Sequence, residues 1–340
     1  MQDAYTLNDR EKRKLAFLYN HSGIKTRHSV LADYGLEYNQ REFLPSDIYT
    51  NYPDIEKRQA VYDREALPLA LNAIEDCLKG CTFGIEITHL ITVSCTGMSA
   101  PGLDLEVANA LQLSPNVVRT SVNFMGCYAA IHALKMADWI CKATEKANVL
   151  IVCVELCTLH FQKEFTRDNA TSSLLFADGA SAALVSNTAD GNLPGMKLMN
   201  FFSWVNAAGR NDMTWGLSSQ GFRMTLSSYV PHLLGANILP VVEEALLQKG
   251  YRPDDVTHWC IHPGGIRILE TIAKQLNITH QQLSEAYSIL ASHGNMSSAT
   301  IFFVLKRMLD KFNETNSAAV VFGAAFGPGL TMETFLAEWV

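Results

Sequence analysis

Positive charge is scarce in this chain: 27 Lys and Arg stand against 34 Asp and Glu, for a net charge of −7. That balance argues against nucleic acid as the main partner, because neutralising a phosphate backbone takes a basic face. Charge of either sign is sparse, at 18% of residues against 48% apolar. A disordered chain is thereby excluded and a large buried core implied. Long hydrophobic runs are also missing. The longest near the C-terminus, 317–330, is broken by Gly323, Gly327, Pro328 and Gly329. It falls short of the roughly 18–20 residues that a membrane span needs, so no span is expected. The charged start, MQDAYTLNDREKRK, has no apolar stretch of the kind a signal peptide requires. Eight cysteines in 340 residues are too few for a disulfide scaffold, and they read as reduced thiols of a cytoplasmic protein. Neither G-x-x-x-x-G-K-[ST] nor G-x-G-x-x-G occurs, which leaves nucleotide binding without support. The absence of G-x-S-x-G argues against an α/β-hydrolase.

What the chain does contain is a copy of itself. Ile87-Thr88-His89-Leu90-Ile91-Thr92-Val93 resembles Val256-Thr257-His258-Trp259-Cys260-Ile261-His262. Each reads as a buried strand, followed by a Gly/Pro-rich turn and then a helix, 104–113 in one copy and 266–276 in the other. At nearly the same spacing, Phe124-Met125-Gly126-Cys127-Tyr128-Ala129-Ala130 aligns with Ser292-His293-Gly294-Asn295-Met296-Ser297-Ser298. A helix (129–142 and 298–312) and a strand (148–154 and 317–322) follow in both. A length of 340 residues exceeds what one core fills, so two α/β halves, 1–190 and 191–340, are expected, joined by the polar segment 187–194. Alternating strands and helices imply mainly parallel sheets covered by helices. At the N-terminus, Asn8 or Asp9 is placed to cap a helix over 10–19, and a second helix is read over 68–78.

Four residues invite chemistry: Cys127, His262, His293 and Asn295. Cys127 opens a small-residue helix, where the macrodipole favours thiolate; a buried free cysteine also serves as a small hydrophobe. His262 ends a strand just before Pro-Gly-Gly, a place equally suited to a satisfied core histidine. Asn295 starts a helix, where asparagine commonly caps. The repeat shifts this balance, because equivalent helix and strand ends of two pseudo-symmetric halves meet at their interface. A nucleophile, an imidazole and an amide donor would then share one place, the set that acyl transfer through a thioester needs. Cys77/Cys81 and Cys153/Cys157 have zinc-like spacing, but no further ligands follow, and no metal is expected.

At these motifs the chain resembles the type III polyketide synthases, the chalcone synthase-like branch of the thiolase-fold condensing enzymes. The resemblance runs through Phe124-Met125-Gly126-Cys127-Tyr128, Leu175-Phe176-Ala177-Asp178-Gly179, Ile261-His262-Pro263-Gly264-Gly265, Gly294-Asn295-Met296-Ser297-Ser298 and Phe326-Gly327-Pro328-Gly329. It implies a five-layered αβαβα fold, a homodimer, and catalysis by Cys127, His262 and Asn295. The substrates it implies are an acyl-CoA starter and malonyl-CoA, with no cofactor besides these thioesters. Loading on Cys127, decarboxylative Claisen extension and cyclisation to a pyrone, resorcinol or related aromatic would follow. His262 as imidazolium is expected to hold the Cys127 thiol below its free pKa of about 8.5. The resemblance further matches Phe176 to a gatekeeping phenylalanine, Lys25 to a basic CoA-phosphate position, and Ser297 to a substrate-contacting serine. Asp178 and Gly179 are expected to shape the turn beside Phe176.

The chain also departs from the plant members. Met224 stands at a second gatekeeper position, Cys157 and His160 replace cavity threonines, and Ala100 replaces a dimer-crossing methionine, with Met98 close by. The family's opening strand and helix would precede Met1. The alternative reading is a β-ketoacyl-ACP synthase III-like enzyme, with one condensation and an acyl carrier protein partner. A non-catalytic member of the fold is disfavoured because all three catalytic positions are intact.

Overall fold

The structure is a computed structural model and describes residues 5, 7–44, 52–79, 85–187, 195–315 and 318–339. Cys81, residues 188–194 of the expected linker and Ser317 lie outside the described residues. The first helix, α1 (Asp9–Asn20), is capped by Asn8: its side chain accepts from the Arg10 and Glu11 amides, both at 3.0 Å, and Glu11 bonds back to the Asn8 amide. The second helix corrects the sequence reading. It was expected to start at Pro68, yet α2 (Ile55–Leu78) begins at an Asp54 cap and carries Pro68 in its interior. Tertiary burial explains this, since Val61, Tyr62, Ala66, Ala70 and Ile74 form one continuous buried face through the proline.

The first half continues as β1 (His89–Ser94), α3 (Leu103–Ala110), β2 (Val118–Asn123), α4 (Ala129–Ala143), β3 (Asn148–Leu156), α5 (Arg167–Leu175) and β4 (Asp178–Ser186). Its sheet has the order β2-β1-β3-β4, parallel except for β4. The second half runs β5 (Met196–Val205), the hairpin β6 (Met213–Ser218) and β7 (Gly221–Leu226), α6 (Val230–Leu247), β8 (His258–Ile261), α7 (Ile266–Leu276), α8 (Ser284–His293), α9 (Thr300–Thr315), β9 (Ala319–Gly327) and β10 (Thr331–Trp339). The second sheet has the order β5-β10-β9-β8, with β8 and β9 parallel and the other pairs antiparallel.

The repeat is visible in space. β1 and β3 are parallel neighbours as β8 and β9 are, and β3/β4 matches β9/β10. Two features break it: β2 has a helix, α8, in the corresponding place, and β5 extends only the second sheet. β9 also runs past the expected end at 322, because β10 pairs with it from Ala319 to Gly327.

α4 and α9 touch both sheets and form the central layer. α2 and α3 cover the outer face of the first sheet, α6 and α7 lie outside the second, and α8 packs against α9, α7 and β8. This is the expected αβαβα arrangement. One hydrophobic core crosses the middle and joins Ile91, Ile131 and Ile151 to Trp259, Ile301 and Phe322. A buried ion pair also crosses it, Lys135 on α4 to Glu333 on β10 at 2.8 Å. α6 is the one described helix apolar and long enough to cross a membrane by composition. Its Val230, Leu234, Ile238, Val242 and Leu246 are buried in the protein, and Glu243 and Glu244 are exposed.

Candidate active site

Beyond β2 the chain turns sharply to deliver Cys127 to the start of α4. Phe124 and Gly126 both take positive φ, +60° and +86°. A Cβ on Gly126 would lie 2.2 Å from Pro328 Cδ, so only glycine lets this loop close on the C-terminal half. The second half repeats the device. Gly294 has φ +71°, and a Cβ there would meet Arg27 Cγ at 2.9 Å and the Leu175 carbonyl oxygen at 3.0 Å. Asn295 follows. Its amide donates to the Leu175 carbonyl and its own carbonyl accepts from Ala177, both at 2.9 Å, which ties it to the Phe176 turn. Ser297 N–H donates to Asn295 Oδ1 at 2.8 Å. That bond fixes which way the amide faces and leaves Nδ2 to act as a donor elsewhere.

His262 leaves the end of β8, held by its N–H to the Ala324 carbonyl at 2.9 Å. The ring is 1% exposed, and neither nitrogen has a hydrogen-bond partner among the described residues. The three residues face one cavity. Cys127 Sγ stands 3.6 Å from Ser297 Oγ and 4.0 Å from Asn295 Oδ1. No hydrogen bond joins Cys127 to His262 among the described residues.

Burial governs the charge states. It pushes the Cys127 thiol up to about 12, with hydrogen bonding to Ser297 opposing, and pushes His262 down to about 3. The expected depression of the free thiol is therefore not present. Burial disfavours a lone thiolate and a lone imidazolium here.

The cavity is also lined by Phe176, Met224, Cys157, His160 and Ser297, so five further sequence-predicted residues converge on it. His160 is committed to structure. Its Nδ1 accepts from Phe222 N–H at 3.1 Å, so Nε2 carries the proton and donates to the Thr96 carbonyl at 2.7 Å. It stacks on Phe222 at 4.3 Å, and Trp215 stands edge-on to both rings at 5.7 Å. Asp178 accepts from Val30 N–H, Thr158 N–H and Thr158 Oγ1 at 2.9, 2.8 and 2.6 Å, and so fixes the chain beside the cavity. Two expectations fall outside the cavity lining. Lys25 is exposed on a strap whose amide donates to the Ala291 carbonyl at 2.8 Å. His293 packs against His28 and Phe303, 5.2 Å from each. Among the described residues no cluster of His, Cys, Asp and Glu could hold a metal.

One residue of the site region escaped the sequence reading. Glu155 is fully buried at the end of β3 and accepts from Cys95 N–H at 2.9 Å, Thr96 Oγ1 at 3.0 Å and Ser298 Oγ at 2.5 Å. Burial raises its pKa and these bonds pull it back. It clamps the loop after β1 to the turn before α9. The signal was present: a single carboxylate inside the apolar run 148–156 has no place unless it is satisfied.

Such a pairing of halves around a buried thiol defines a thiolase-like condensing enzyme. The family is shown directly. Residues 3–189 match the chalcone and stilbene synthase N-terminal domain and residues 206–340 the C-terminal domain. The chain belongs to that family and is a type III polyketide synthase, an acyltransferase. It is 29% identical to the alpha-pyrone synthesis polyketide synthase-like Pks18 of Mycobacterium tuberculosis over 97% of this chain and 83% of that one. It is 30% identical to a putative chalcone synthase of Bacillus subtilis over 99% of this chain and 96% of that one. The C-terminal type III polyketide synthase domain of Steely1 from Dictyostelium superposes with a TM-score of 0.87 at 29% identity, over all of this chain and 92% of that one. Enzymes of this family use acyl-CoA and malonyl-CoA.

Proposed function

We propose that Cys127 accepts the starter acyl group and that His262 and Asn295 stabilise the enolate formed from malonyl-CoA. The observation that carries this reading is the convergence of the three on one cavity, with both His262 nitrogens without a hydrogen-bond partner among the described residues. His262 takes the thiol proton as Cys127 attacks the CoA thioester, and the imidazolium so formed offsets the charge of the departing or arriving anion. Malonyl-CoA then loses CO₂, and the enolate oxygen receives hydrogen bonds from His262 and Asn295 Nδ2. Its carbon attacks the acyl-Cys127 thioester and expels the Cys127 thiolate, leaving a chain two carbons longer on CoA; that thioester reloads on Cys127, with release of CoA, before each further extension. Phe176 shields the thioester from water, and the exposed Lys25 receives a CoA phosphate. No cofactor beyond the CoA thioesters enters the scheme.

The starter is a medium or long fatty acyl group, and the product a pyrone or resorcinol. Support comes from the flexible apolar wall of Met213, Met224 and Leu226, and from the name of the mycobacterial relative. The protein acts in the cytoplasm as a homodimer. β2 supports the dimer: its outer edge is unpaired among the described residues, and Val118 is 53% exposed on it. A single-chain mass in sedimentation velocity would remove the dimer. The test of function is product analysis by mass after incubation with malonyl-CoA and a panel of acyl-CoAs. We expect kcat/KM for lauroyl-CoA to exceed that for p-coumaroyl-CoA, and Met224→Phe to shift the profile toward shorter chains. Preference for the aromatic starter would overturn the chain-length assignment.

A further inference from the structure

Five side-chain polar atoms are sealed from solvent without a hydrogen-bond partner among the described residues, and three belong to cavity-lining residues. Two are the ring nitrogens of His262. The third is the hydroxyl of Ser172, to which nothing so far assigns a task. A helical serine usually bonds the carbonyl three or four residues back. Its neighbour Ser173 does so, donating to the Ala170 carbonyl at 3.0 Å and accepting from Tyr5 at 3.1 Å. Asn169, one turn earlier, gives its amide to the Glu164 carbonyl at 2.9 Å. Ser172 alone of these three cavity-lining polar residues leaves its side chain unpaired, and a buried unpaired hydroxyl lowers stability.

Its position suits a ligand. Phe176 N–H donates to the Ser172 carbonyl at 3.0 Å, so the two residues are one turn apart and share a face of α5. α5 packs against β7, the strand that carries Phe222 and Met224. The hydroxyl therefore belongs to the wall along which a chain attached to Cys127 would lie. Across from it, both nitrogens of His160 are occupied, and so is Trp215 Nε1, which donates to the Cys95 carbonyl at 2.7 Å. A plain acyl chain asks for no hydrogen bond. A chain with oxygen on alternate carbons does.

We propose that Ser172 Oγ donates a hydrogen bond to a β-carbonyl or enol oxygen of the intermediate on Cys127 and so holds it for further extension. The inference rests on the polyketide synthase reading above. Ser172→Ala, Ser172→Val and Ser172→Thr are compared with wild type, using lauroyl-CoA and malonyl-CoA, with products resolved by mass. In the Ala and Val variants the ratio of fully extended to early-released product is expected to fall about tenfold, the effect of one hydrogen bond. Ser172→Thr, which keeps the hydroxyl at the size of Val, is expected to restore the wild-type ratio. An equal fall in Thr and Val would make the role one of packing and overturn the proposal. A rise in KM for malonyl-CoA decarboxylation that accounts for the fall would assign the hydroxyl to the pantetheine arm and also overturn it. An unchanged ratio in all three would do the same. Wild-type protein unable to decarboxylate malonyl-CoA would overturn the functional reading itself, and this inference with it.

Discussion

The loop before α4 and the loop before α9 begin with the same parts and end differently. Each turns on a glycine of positive φ, Gly126 or Gly294, and each presents the next residue to the shared cavity. In the first half the chain then enters α4 at once, so Cys127 stands just ahead of fifteen aligned helical residues. In the second half a 3₁₀ turn, Ser297–Ala299, separates Asn295 from α9. That turn supplies the Ser297 amide that orients Asn295 and the Ser298 hydroxyl that meets Glu155. The difference teaches how a duplicated frame divides labour. The direct helix start suits a group that must become an anion, and the interposed turn suits a neutral amide that must be held in one orientation.

Four sets of experiments break or sharpen this contrast. The largest effect is expected from Cys127→Ala, which removes the anion-forming partner. Acyl loading from radiolabelled acyl-CoA should fall below detection while the melting temperature stays near that of wild type. Loading at the wild-type level would move the nucleophile elsewhere. Next come the groups on the other side. His262→Gln and Asn295→Asp should each lower malonyl-CoA decarboxylation by about 10²–10³-fold, because the first removes the imidazolium and the second sets an anion in place of a donor beside the same oxyanion. The double variant should lose much less than the product of the two factors, which steady-state kinetics of all three variants would reveal.

The glycines test the frame itself. Gly126→Ala should destabilise by about 2–4 kcal/mol, combining left-handed strain with overpacking against Pro328. Gly294→Ala faces a flexible Arg27 side chain on one side and a fixed carbonyl on the other, and should cost somewhat less. Urea unfolding of both gives the comparison, and a neutral Gly126→Ala would contradict the tight closure. The smallest effect concerns charge in the free protein. A thiol pushed up to about 12 by burial is protonated at neutral pH, so its thiolate fraction rises as pH rises. Alkylation of Cys127 by iodoacetamide should therefore climb about tenfold per pH unit without levelling below pH 9. A plateau between pH 6 and 8 would mean that the ion pair with His262 forms before substrate arrives.

The parts of this molecule that were legible in the sequence are those where one residue type answers one local demand. Buried strands read at 148–154 and 256–262 announced themselves as apolar runs, and Asn8 or Asp9 as the cap of the first helix, of which the structure uses Asn8. The repeat carried more, since it brought Cys127, His262 and Asn295 together without any view of the fold. Sequence failed where distant packing decides. Pro68 looks like a helix start, and only the buried face of α2 reveals the preceding turns. The charge state of Cys127 followed the helix dipole on paper, whereas in space desolvation dominates. Trp215 was silent because an aromatic in a hairpin has no signature until its neighbours, His160 and Phe222, are known. Ser172 was equally silent, since an unpaired hydroxyl is a property of surroundings.

Glu155 has a consequence for how the molecule comes into being. A chain leaves the ribosome N-terminus first, so Cys127 and Glu155 emerge well before Ser298 and the strands of the second sheet. Until then the α4 side of the first sheet lacks the half that covers it, and the carboxylate lacks one of its three donors. The thiol is made early, but its reactive surroundings are assembled last, by the same docking that buries the core. A truncated product of translation would carry the nucleophile without His262 or Asn295, and so without the means to release an enolate from malonyl-CoA.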